Sequence, residues 1–417
     1  MTGSEIRSKI FRFGMFALLM GFAASCNKGN PTDGQASDEK KVQAVVDKVR
    51  LNISDSLKIS YPSLNVLIQT PKQKIFVSST GDGAQTVTAD TYYRIASNTK
   101  NFTASAIMNM WEDGWLDYKA KITDVIPGTK TTYTPGDSDW DIPFKNDITI
   151  EMLLQHSAGV YDVDNSPVEG YNDLSYTQAV LEADPSHQFS TSEMVKVLTQ
   201  KQIFYFKPGA GYNYSNTGYS ILAEIIKRIY TVKSGQVKTY ADYMYDYITG
   251  QATPVPLPKF RFPILATDIA MPDPHLIGRV LTRTGPLVFD KFNMSAQVGE
   301  GNGYSTMSEL NTYIRSQMKG VNLLKPTTIE LMQKNTSKAN PDYGLGTAHV
   351  RNLGYGHNGA RLGYLNMMYY DAVHDVSVVV MIPLFDYRKD NVSFFQCYNA
   401  MLDAAYATRE ALGYPGK

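Results

Sequence analysis

The stretch TYYRIASNTKNFTASAIMNMWEDGWLDYKAKITDVIP, residues 91–127, decides how the rest of the chain is interpreted. Within it, Ser97 and Lys100 form a Ser-x-x-Lys motif where polar turn residues give way to an apolar helical pattern. Residues three apart share one face of a helix, so Lys100 is expected one turn from Ser97. A serine hydroxyl is a weak nucleophile until a neighbouring base takes its proton, and a buried lysine with a lowered pKa can do so. We therefore predict that Ser97 is a nucleophile activated by Lys100.

The Ser-x-x-Lys spacing alone is weak evidence for a catalytic site. The same spacing recurs at Ser25/Lys28, Ser37/Lys40 and Ser316/Lys319. For an isolated match, a serine that caps a helix beside an exposed lysine is the favoured interpretation. The prediction therefore depends on the other polar motifs of the chain.

A second polar motif, FKPGAGYNYSNTGY at residues 206–219, combines a Pro-Gly turn with Tyr214 and Asn216. Both side chains are expected on a loop that leads into a predicted helix at 218–230. A phenol beside a lysine can shuttle a proton, and an amide can orient both the lysine and a substrate. The alternative is that Asn216 only caps the helix.

A third motif is Gly356-His357-Asn358-Gly359, which precedes a strand-like run that starts at Tyr364. A histidine here could hold an anionic or polar substrate group and would titrate near neutrality. A residue as small as Gly359 would let a substrate approach the strand backbone closely. The alternative is that His357 is a hydrogen-bonded structural residue.

The order of the predicted elements favours one α+β domain: an antiparallel sheet flanked by helices, with an inserted, mostly helical subdomain. Short strands are predicted at 64–68 and 74–77, with a turn at 71–73, and again at 364–370 and 376–382. Helices are predicted from Val42 to Val49 and at 97–111 (with Gly114 as the C-cap), 150–154, 191–199, 218–230, 308–319, 327–334 and 394–412. Residues 250–290 contain several prolines and are predicted to form a long irregular insertion.

The N-terminal region has the features of an export signal. Three basic residues precede an apolar run at 13–24, which is short for a membrane-spanning helix and ends just before Cys26. We predict a signal peptide at 1–25, a lipid-modified Cys26, a flexible tether at 26–40 and a hydrolase domain at 41–417. The alternative is ordinary secretory cleavage near residue 24. The second cysteine, Cys397, lies in an apolar helical pattern and is predicted to be a core residue.

The composition excludes several classes of function. The 417 residues include 40 Lys+Arg and 40 Asp+Glu, and no polybasic run is present, so no nucleic-acid partner is expected. No His-Glu-x-x-His motif or cysteine pair suggests a metal site, and we expect no cofactor. A Gly-x-Ser-x-Gly elbow is also absent from the sequence, which argues against an α/β-hydrolase.

Together the motifs resemble the serine β-lactamase-related hydrolases, a group that includes class C β-lactamases, DD-carboxypeptidases, D-aminopeptidases and related esterases. The resemblance runs from about Leu64 to Met381. Its five ordered blocks are residues 91–127, ITIEMLLQHSAGVYD (148–162), FKPGAGYNYSNTGYSILAEII (206–226), GNGYSTMSEL (301–310) and GHNGARLGY (356–364).

The resemblance implies a role for each motif. Ser97 would form an acyl-enzyme, and Lys100 and Tyr214 would handle protons, with the choice of base between them open. The implied substrate-binding residues are Asn216, His357, Gly359 and Ala360. The backbone N–H groups of Ser97 and Ala360 would form the oxyanion hole, and the loop 156–159 is interpreted as structural. Because the third motif starts with His357 where β-lactamases have a lysine, efficient β-lactam hydrolysis is less expected.

The predicted function is therefore that of an exported serine acyl-hydrolase that cleaves an ester or amide, such as a D-amino-acid peptide or a small acyl ester. Peptidoglycan-derived compounds are among the expected substrates. The expected location is the bacterial cell envelope, periplasmic or surface-exposed, with the lipid on Cys26 as membrane anchor. The alternative is a weakly active or inactive envelope-binding lipoprotein on the same fold. The complete set of Ser97, Lys100, Tyr214 and Asn216 argues against it.

Overall fold

The computed structural model describes residues 38–417. The predicted signal peptide and Cys26 lie outside these residues, as does most of the predicted tether. The first helix begins at Asp38, so the last three residues assigned to the tether are helical. Asp38 and Glu39 carry negative charge into the first turn, where the helix dipole favours it, and this explains the earlier start.

Strands and helices occur mostly in separate runs along the described chain. The α-helices are α1 Asp38–Leu57, α2 Thr99–Glu112, α3 Ile150–Leu154, α4 Tyr176–Ala183, α5 Thr191–Lys201, α6 Asn216–Ser234, α7 Tyr240–Tyr243, α8 Met307–Met318, α9 Pro326–Lys334 and α10 Asn391–Ala411. The strands are β1 Ser63–Gln69, β2 Lys74–Thr80, β3 Tyr92–Arg94, β4 Gly278–Thr282, β5 Gly285–Phe289, β6 Tyr304–Thr306, β7 Ala348–Val350, β8 Gly354–Arg361, β9 Tyr364–Asp371, β10 Val376–Ile382 and β11 Leu384–Asp386.

A six-stranded antiparallel sheet in the order β2-β1-β10-β9-β8-β7 forms the centre of the fold. The predicted hairpin at 71–73 is present, because Gln69 pairs with Lys74 across it. Val66 of β1 lies opposite Val380 of β10, so the N-terminal hairpin pairs with a strand near the C-terminus. The chain between these strands forms the helical part, as the α+β prediction requires.

Both faces of the sheet are buried, and alternation along each strand divides its side chains between two cores. On β1, Val66 and Ile68 pack with α1 and α10, whereas Leu67 faces the helical part of the molecule. Cys397 of α10 is fully buried in the first of these cores, as predicted.

Helix α2 connects the sheet to the helical part. Every residue from Thr99 to Met108 is buried, which is the pattern of a helix surrounded by protein on all sides. Its Phe102 belongs to the same core as Ile226 of α6 and Met368 of β9. Gly114 follows its end with φ +68°, as expected for a left-handed C-cap.

The prediction of an irregular insertion at 250–290 is wrong for its second half. Strands β4 and β5 form an antiparallel hairpin, and β11 joins β4 in parallel to make a three-stranded sheet. The turn between β4 and β5 has Arg283 and Thr284 at its centre rather than the Asn-Gly type that identifies a hairpin in sequence. The prolines before Gly278 favoured the prediction of an irregular segment, and the short strand pattern after Gly278 was too weak to counter it.

None of the helices described between residues 38 and 417 has the length and apolar character needed to cross a membrane.

Truncation of a core side chain between the sheet and α10 is expected to destabilise the fold. Met401 has no exposed surface, so Met401→Ala should lower the free energy of unfolding by about 2–5 kcal/mol. Val373 is 86% exposed, so the control Val373→Ala should change it by less than about 0.5 kcal/mol. Urea unfolding followed by circular dichroism measures both values, and similar losses in the two variants would contradict the assigned packing.

Candidate active site

Ser97 lies in a tight turn directly before α2. The turn is a 3-10 helix of Ala96–Asn98, and Ala96 adopts a left-handed backbone conformation with φ +48°. Such a conformation is uncommon and costly for a residue with a side chain, and it persists only where the surrounding structure holds it. Ser97 is partly exposed between the buried Ala96 and Asn98, so its hydroxyl is presented at the surface of an otherwise buried segment.

Lys100 has no exposed surface and contacts Ser97 directly. Its Nζ lies 3.2 Å from Ser97 Oγ, 2.7 Å from Asn216 Oδ1, 2.8 Å from the Glu300 carbonyl oxygen and 2.9 Å from Glu300 Oε2. The alternative of an exposed lysine beside a capping serine is therefore wrong. Sequence motifs that lie more than a hundred residues apart meet at this ammonium group.

Asn216 is the first residue of α6, but it does not cap the helix. Ser215 is the N-cap, and its hydroxyl accepts a hydrogen bond from Gly218 N at 3.1 Å. The Asn216 amide faces inward, where Oδ1 accepts from Lys100 and Nδ2 donates to Asp164 Oδ2 at 3.0 Å. The amide therefore holds Lys100 in place.

Tyr214 places its ring beside Lys100, with Nζ 4.8 Å from the ring centroid. Burial raises the pKa of the Tyr214 phenol well above its ordinary value, and a hydrogen-bonding interaction with the Ser97 hydroxyl offsets part of this increase. The hydroxyl has no hydrogen-bond partner of good geometry among the described residues. Tyr214 therefore lies next to the nucleophile as a protonated phenol.

Several charged residues of the site were not identified from the sequence. Glu300 forms a buried ion pair with Lys100, and Arg361 Nη1 lies 2.8 Å from Asp164 Oδ2. Asp162 Oδ2 accepts from the backbone N–H of Asn216 at 3.1 Å. These carboxylates lie within or beside the five blocks that carry the family resemblance. The sequence position of one acidic residue in a loop does not indicate which distant lysine or arginine it will pair with.

Burial shifts the ionisation of this cluster. It lowers the pKa of Lys100, while the Glu300 carboxylate opposes the shift. It raises the pKa of Glu300 to about 7, although Lys100 acts in the opposite direction. Burial and the neighbouring Asp164 raise the pKa of Asp162 to about 6. For Asp164 itself, the Arg361 guanidinium and several hydrogen bonds outweigh burial and lower the pKa. Burial therefore disfavours both charges of the Lys100–Glu300 pair, while each charge favours the other.

His357 does not titrate near neutrality, so that prediction is wrong. Its ring is completely buried, and burial together with the Lys100 charge lowers its pKa to about 3. Nδ1 lies 2.6 Å from the Asn358 carbonyl oxygen and must donate to it, so Nε2 is the acceptor of the Tyr343 hydroxyl at 3.0 Å. His357 is a neutral, completely buried residue that offers no surface to a substrate.

Position 359 requires glycine because the backbone of the Ser97 turn leaves no room for a side chain. A Cβ atom here would lie 2.3 Å from the Ile95 carbonyl oxygen and 3.1 Å from the Ala96 Cβ. The space beside this strand is therefore filled by the turn that carries Ser97 rather than by a substrate. The close approach brings β8 against the nucleophile.

Strand pairing orients the backbone of Ala360. Arg361 and Tyr364 close the two-residue β8–β9 turn, in which Leu362 and Gly363 have φ +42° and +85°. In such a hairpin the closing pair is hydrogen-bonded and the next pair is not. The N–H of Ala360 therefore points away from β9, towards the opposite edge of β8.

His156 supports the Tyr214 loop, in agreement with its structural interpretation. Its Nδ1 accepts from Ser215 N at 3.1 Å, and its ring stacks at 4.2 Å from the Tyr214 ring. Burial lowers the pKa of His156 well below its ordinary value, so the ring is neutral. Within residues 38–417 no group of acidic, histidine or cysteine side chains is arranged to hold a metal ion.

The His357 assignment predicts an NMR titration. The ring nitrogens should keep the shifts of a neutral imidazole from pH 8 to pH 5, and His357→Gln identifies the signals. Unfolded chains protonate histidine near pH 6.5, so the stability contributed by neutral His357 is present above that pH and decreases as the pH falls towards about 3. A titration midpoint near 6.5 in the folded protein would contradict the burial described here.

Similar proteins of known structure share the fold. The D-amino acid amidase of Ochrobactrum anthropi SV3, solved with L-phenylalanine amide, aligns with a TM-score of 0.68 and 18% identity over 91% of this chain and 99% of its own. The D-stereospecific amidohydrolase from a Streptomyces species aligns with a TM-score of 0.65 and 20% identity over 85% and 98% of the two chains. At these identities the likeness concerns the fold, and the α+β prediction is confirmed.

Sequence relatives cover less of the chain. The Escherichia coli K12 protein named "Putative D-alanyl-D-alanine carboxypeptidase" is 26% identical over 50% of this chain and 48% of its own length. Penicillin-binding protein 4* of Bacillus subtilis 168 is 30% identical over 36% of this chain and 27% of its own length. The matches thus span about half or less of these relatives. The beta-lactamase family model matches residues 46–392, which include every site residue described above, and the chain belongs to the beta-lactamase family.

Proposed function

We propose that this protein is a serine hydrolase that cleaves amides or esters of small acyl compounds through an acyl-enzyme on Ser97. The observation that carries the proposal is the 3.2 Å contact between Ser97 Oγ and the fully buried Lys100. Family membership and the relatives named as carboxypeptidase and amidase support the same chemistry.

In the acylation step, Lys100 is the better proton acceptor. Burial lowers the pKa of the lysine, which makes its neutral amine accessible, whereas burial raises the pKa of Tyr214 and disfavours its phenolate. As Ser97 Oγ bonds to the carbonyl carbon, its proton passes to Lys100 and the carbonyl electrons move to oxygen. The N–H groups of Ser97 and Ala360 stabilise that oxyanion. When the intermediate collapses, Tyr214 relays the proton to the leaving amine or alcohol.

The charge distribution favours D-amino-acid amides and esters over substrates that need a carboxylate anchor. The third motif supplies a neutral, buried His357 instead of a cation. Arg361 on the same strand is buried and forms an ion pair with Asp164. A β-lactam or a peptide with a free C-terminal carboxylate would therefore lack a fixed positive charge at this strand, whereas an amide or ester has no carboxylate to place.

The proposed location is the bacterial cell envelope, with a lipid on Cys26 as the anchor. Support comes from the N-terminal sequence alone, in which a basic segment and an apolar run precede small residues and a cysteine.

Intact-protein mass spectrometry tests the proposed chemistry. Residues 27–417 are incubated separately with a fluorophosphonate, a penicillin and D-phenylalanine amide, beside a Ser97→Ala control. We expect one fluorophosphonate adduct that the control lacks, release of ammonia from D-phenylalanine amide, and slow or no reaction with penicillin. A folded wild-type protein that reacts with none of the three would contradict the proposal and favour a binding lipoprotein.

A further inference from the structure

Glu300 is held against Lys100 by two contacts with one nitrogen. Its Oε2 lies 2.9 Å and its carbonyl oxygen 2.8 Å from Lys100 Nζ. The residue is 2% exposed, so its carboxylate is fixed inside the site rather than on a mobile surface. Oε2, Lys100 Nζ and Ser97 Oγ thus form a continuous hydrogen-bonded chain.

The other carboxylate oxygen, Oε1, is buried and has no hydrogen-bond partner among the described residues. A buried carboxylate oxygen without a donor is costly, and such groups are usually completed by a bound polar molecule. The Tyr214 hydroxyl is a second buried group without a partner of good geometry, and the Glu300 charge is close enough to raise its pKa. Both residues lie against Lys100, which contacts Ser97, and a bound water needs at least two such polar partners.

We propose that Glu300 is the general base for the water that cleaves the acyl-enzyme. This inference rests on the proposed Ser97 acyl-enzyme and assigns its second half-reaction. Glu300 would act on a reacting water through Oε1 while Oε2 keeps its contact with Lys100.

In this assignment one proton moves between Lys100 and Glu300 across their 2.9 Å contact, and its two positions serve the two half-reactions. With the proton on Glu300, Lys100 is a neutral amine that accepts the proton of Ser97 during acylation and passes it to the leaving group. Transfer of the shared proton along the 2.9 Å hydrogen bond then gives an ammonium and a carboxylate. In this form Glu300 is the base and Lys100 is the acid.

The hydrolytic step balances on these groups. The water oxygen bonds to the acyl carbon, a water proton moves to Glu300, and the carbonyl electrons move to the oxygen in the oxyanion hole. On collapse the carbon–Oγ bond breaks, and Ser97 Oγ takes a proton from Lys100. The products are a carboxylic acid and free Ser97, with neutral Lys100 and protonated Glu300, which is the arrangement that starts the next acylation.

Glu300→Gln tests this assignment because glutamine keeps the size and an acceptor oxygen for Lys100 but cannot take a proton. With an activated D-phenylalanine ester, acylation in a rapid-mixing burst should change by less than about tenfold. Deacylation should slow by about 10²–10⁴-fold, and intact mass should show the acyl group accumulating on Ser97. Hydroxylamine, a nucleophile that needs no general base, should release the trapped acyl group.

Controls separate the possible failures. Glu224→Gln changes a glutamate that is 8% exposed and pairs with Lys227, and its turnover should match the wild type. Glu300→Asp keeps a carboxylate and should recover part of the deacylation rate, and thermal unfolding confirms that each variant is folded.

Two results would overturn the assignment. The first is wild-type turnover in Glu300→Gln without accumulation of the acyl-enzyme. Equal loss of acylation and deacylation would also overturn it, because Glu300 would then only position Lys100. Absence of any Ser97 acyl-enzyme in the wild type would instead reject the proposed function.

Discussion

The rest of the site depends on one constraint, the complete burial of the Lys100 amino group, which alternates between its neutral and ammonium forms in the proposed cycle. A cation without access to water is stable only if the protein supplies its hydrogen-bond acceptors and a counter-charge. Here Asn216 supplies an amide oxygen, and Glu300 supplies both a carbonyl and a carboxylate oxygen. Removal of one partner from a buried pair costs about 3–5 kcal/mol, so these contacts hold distant segments in register. Among the described hydrogen-bond partners of Lys100, Asn216 and Glu300 are buried and Ser97 is partly exposed.

The sheet contributes by bringing a strand edge against the nucleophile turn. Gly359 lacks the Cβ that would collide with Ile95, and Asn366 on the next strand accepts a hydrogen bond from Asn98 within the turn. The strained φ of Ala96 is therefore held by contacts from two strands rather than by its own preference. The turn is thereby fixed before any substrate arrives, as preorganised catalysis requires.

The parts that could be predicted from the sequence are those encoded by local patterns. The main strands of the sheet are apolar, β-rich runs, and the three-residue spacing of Ser97 and Lys100 places the two side chains about one turn apart. The tertiary contacts could not be predicted in the same way. Glu300 meets Lys100 across 200 residues, and no local pattern specifies that pairing. The pKa of His357 depends on burial that only the packed structure defines.

The rate at which Ser97 reacts in a Lys100→Met variant tests most directly whether the buried lysine activates the serine. Methionine fills a similar volume without charge or hydrogen bonds, and thermal unfolding establishes that the variant is folded. The second-order rate constant for fluorophosphonate labelling of Ser97 should fall by about 10²–10⁴-fold relative to the wild type. Labelling of the folded variant at the wild-type rate would show that Ser97 does not depend on Lys100 and would contradict the central role given to this contact.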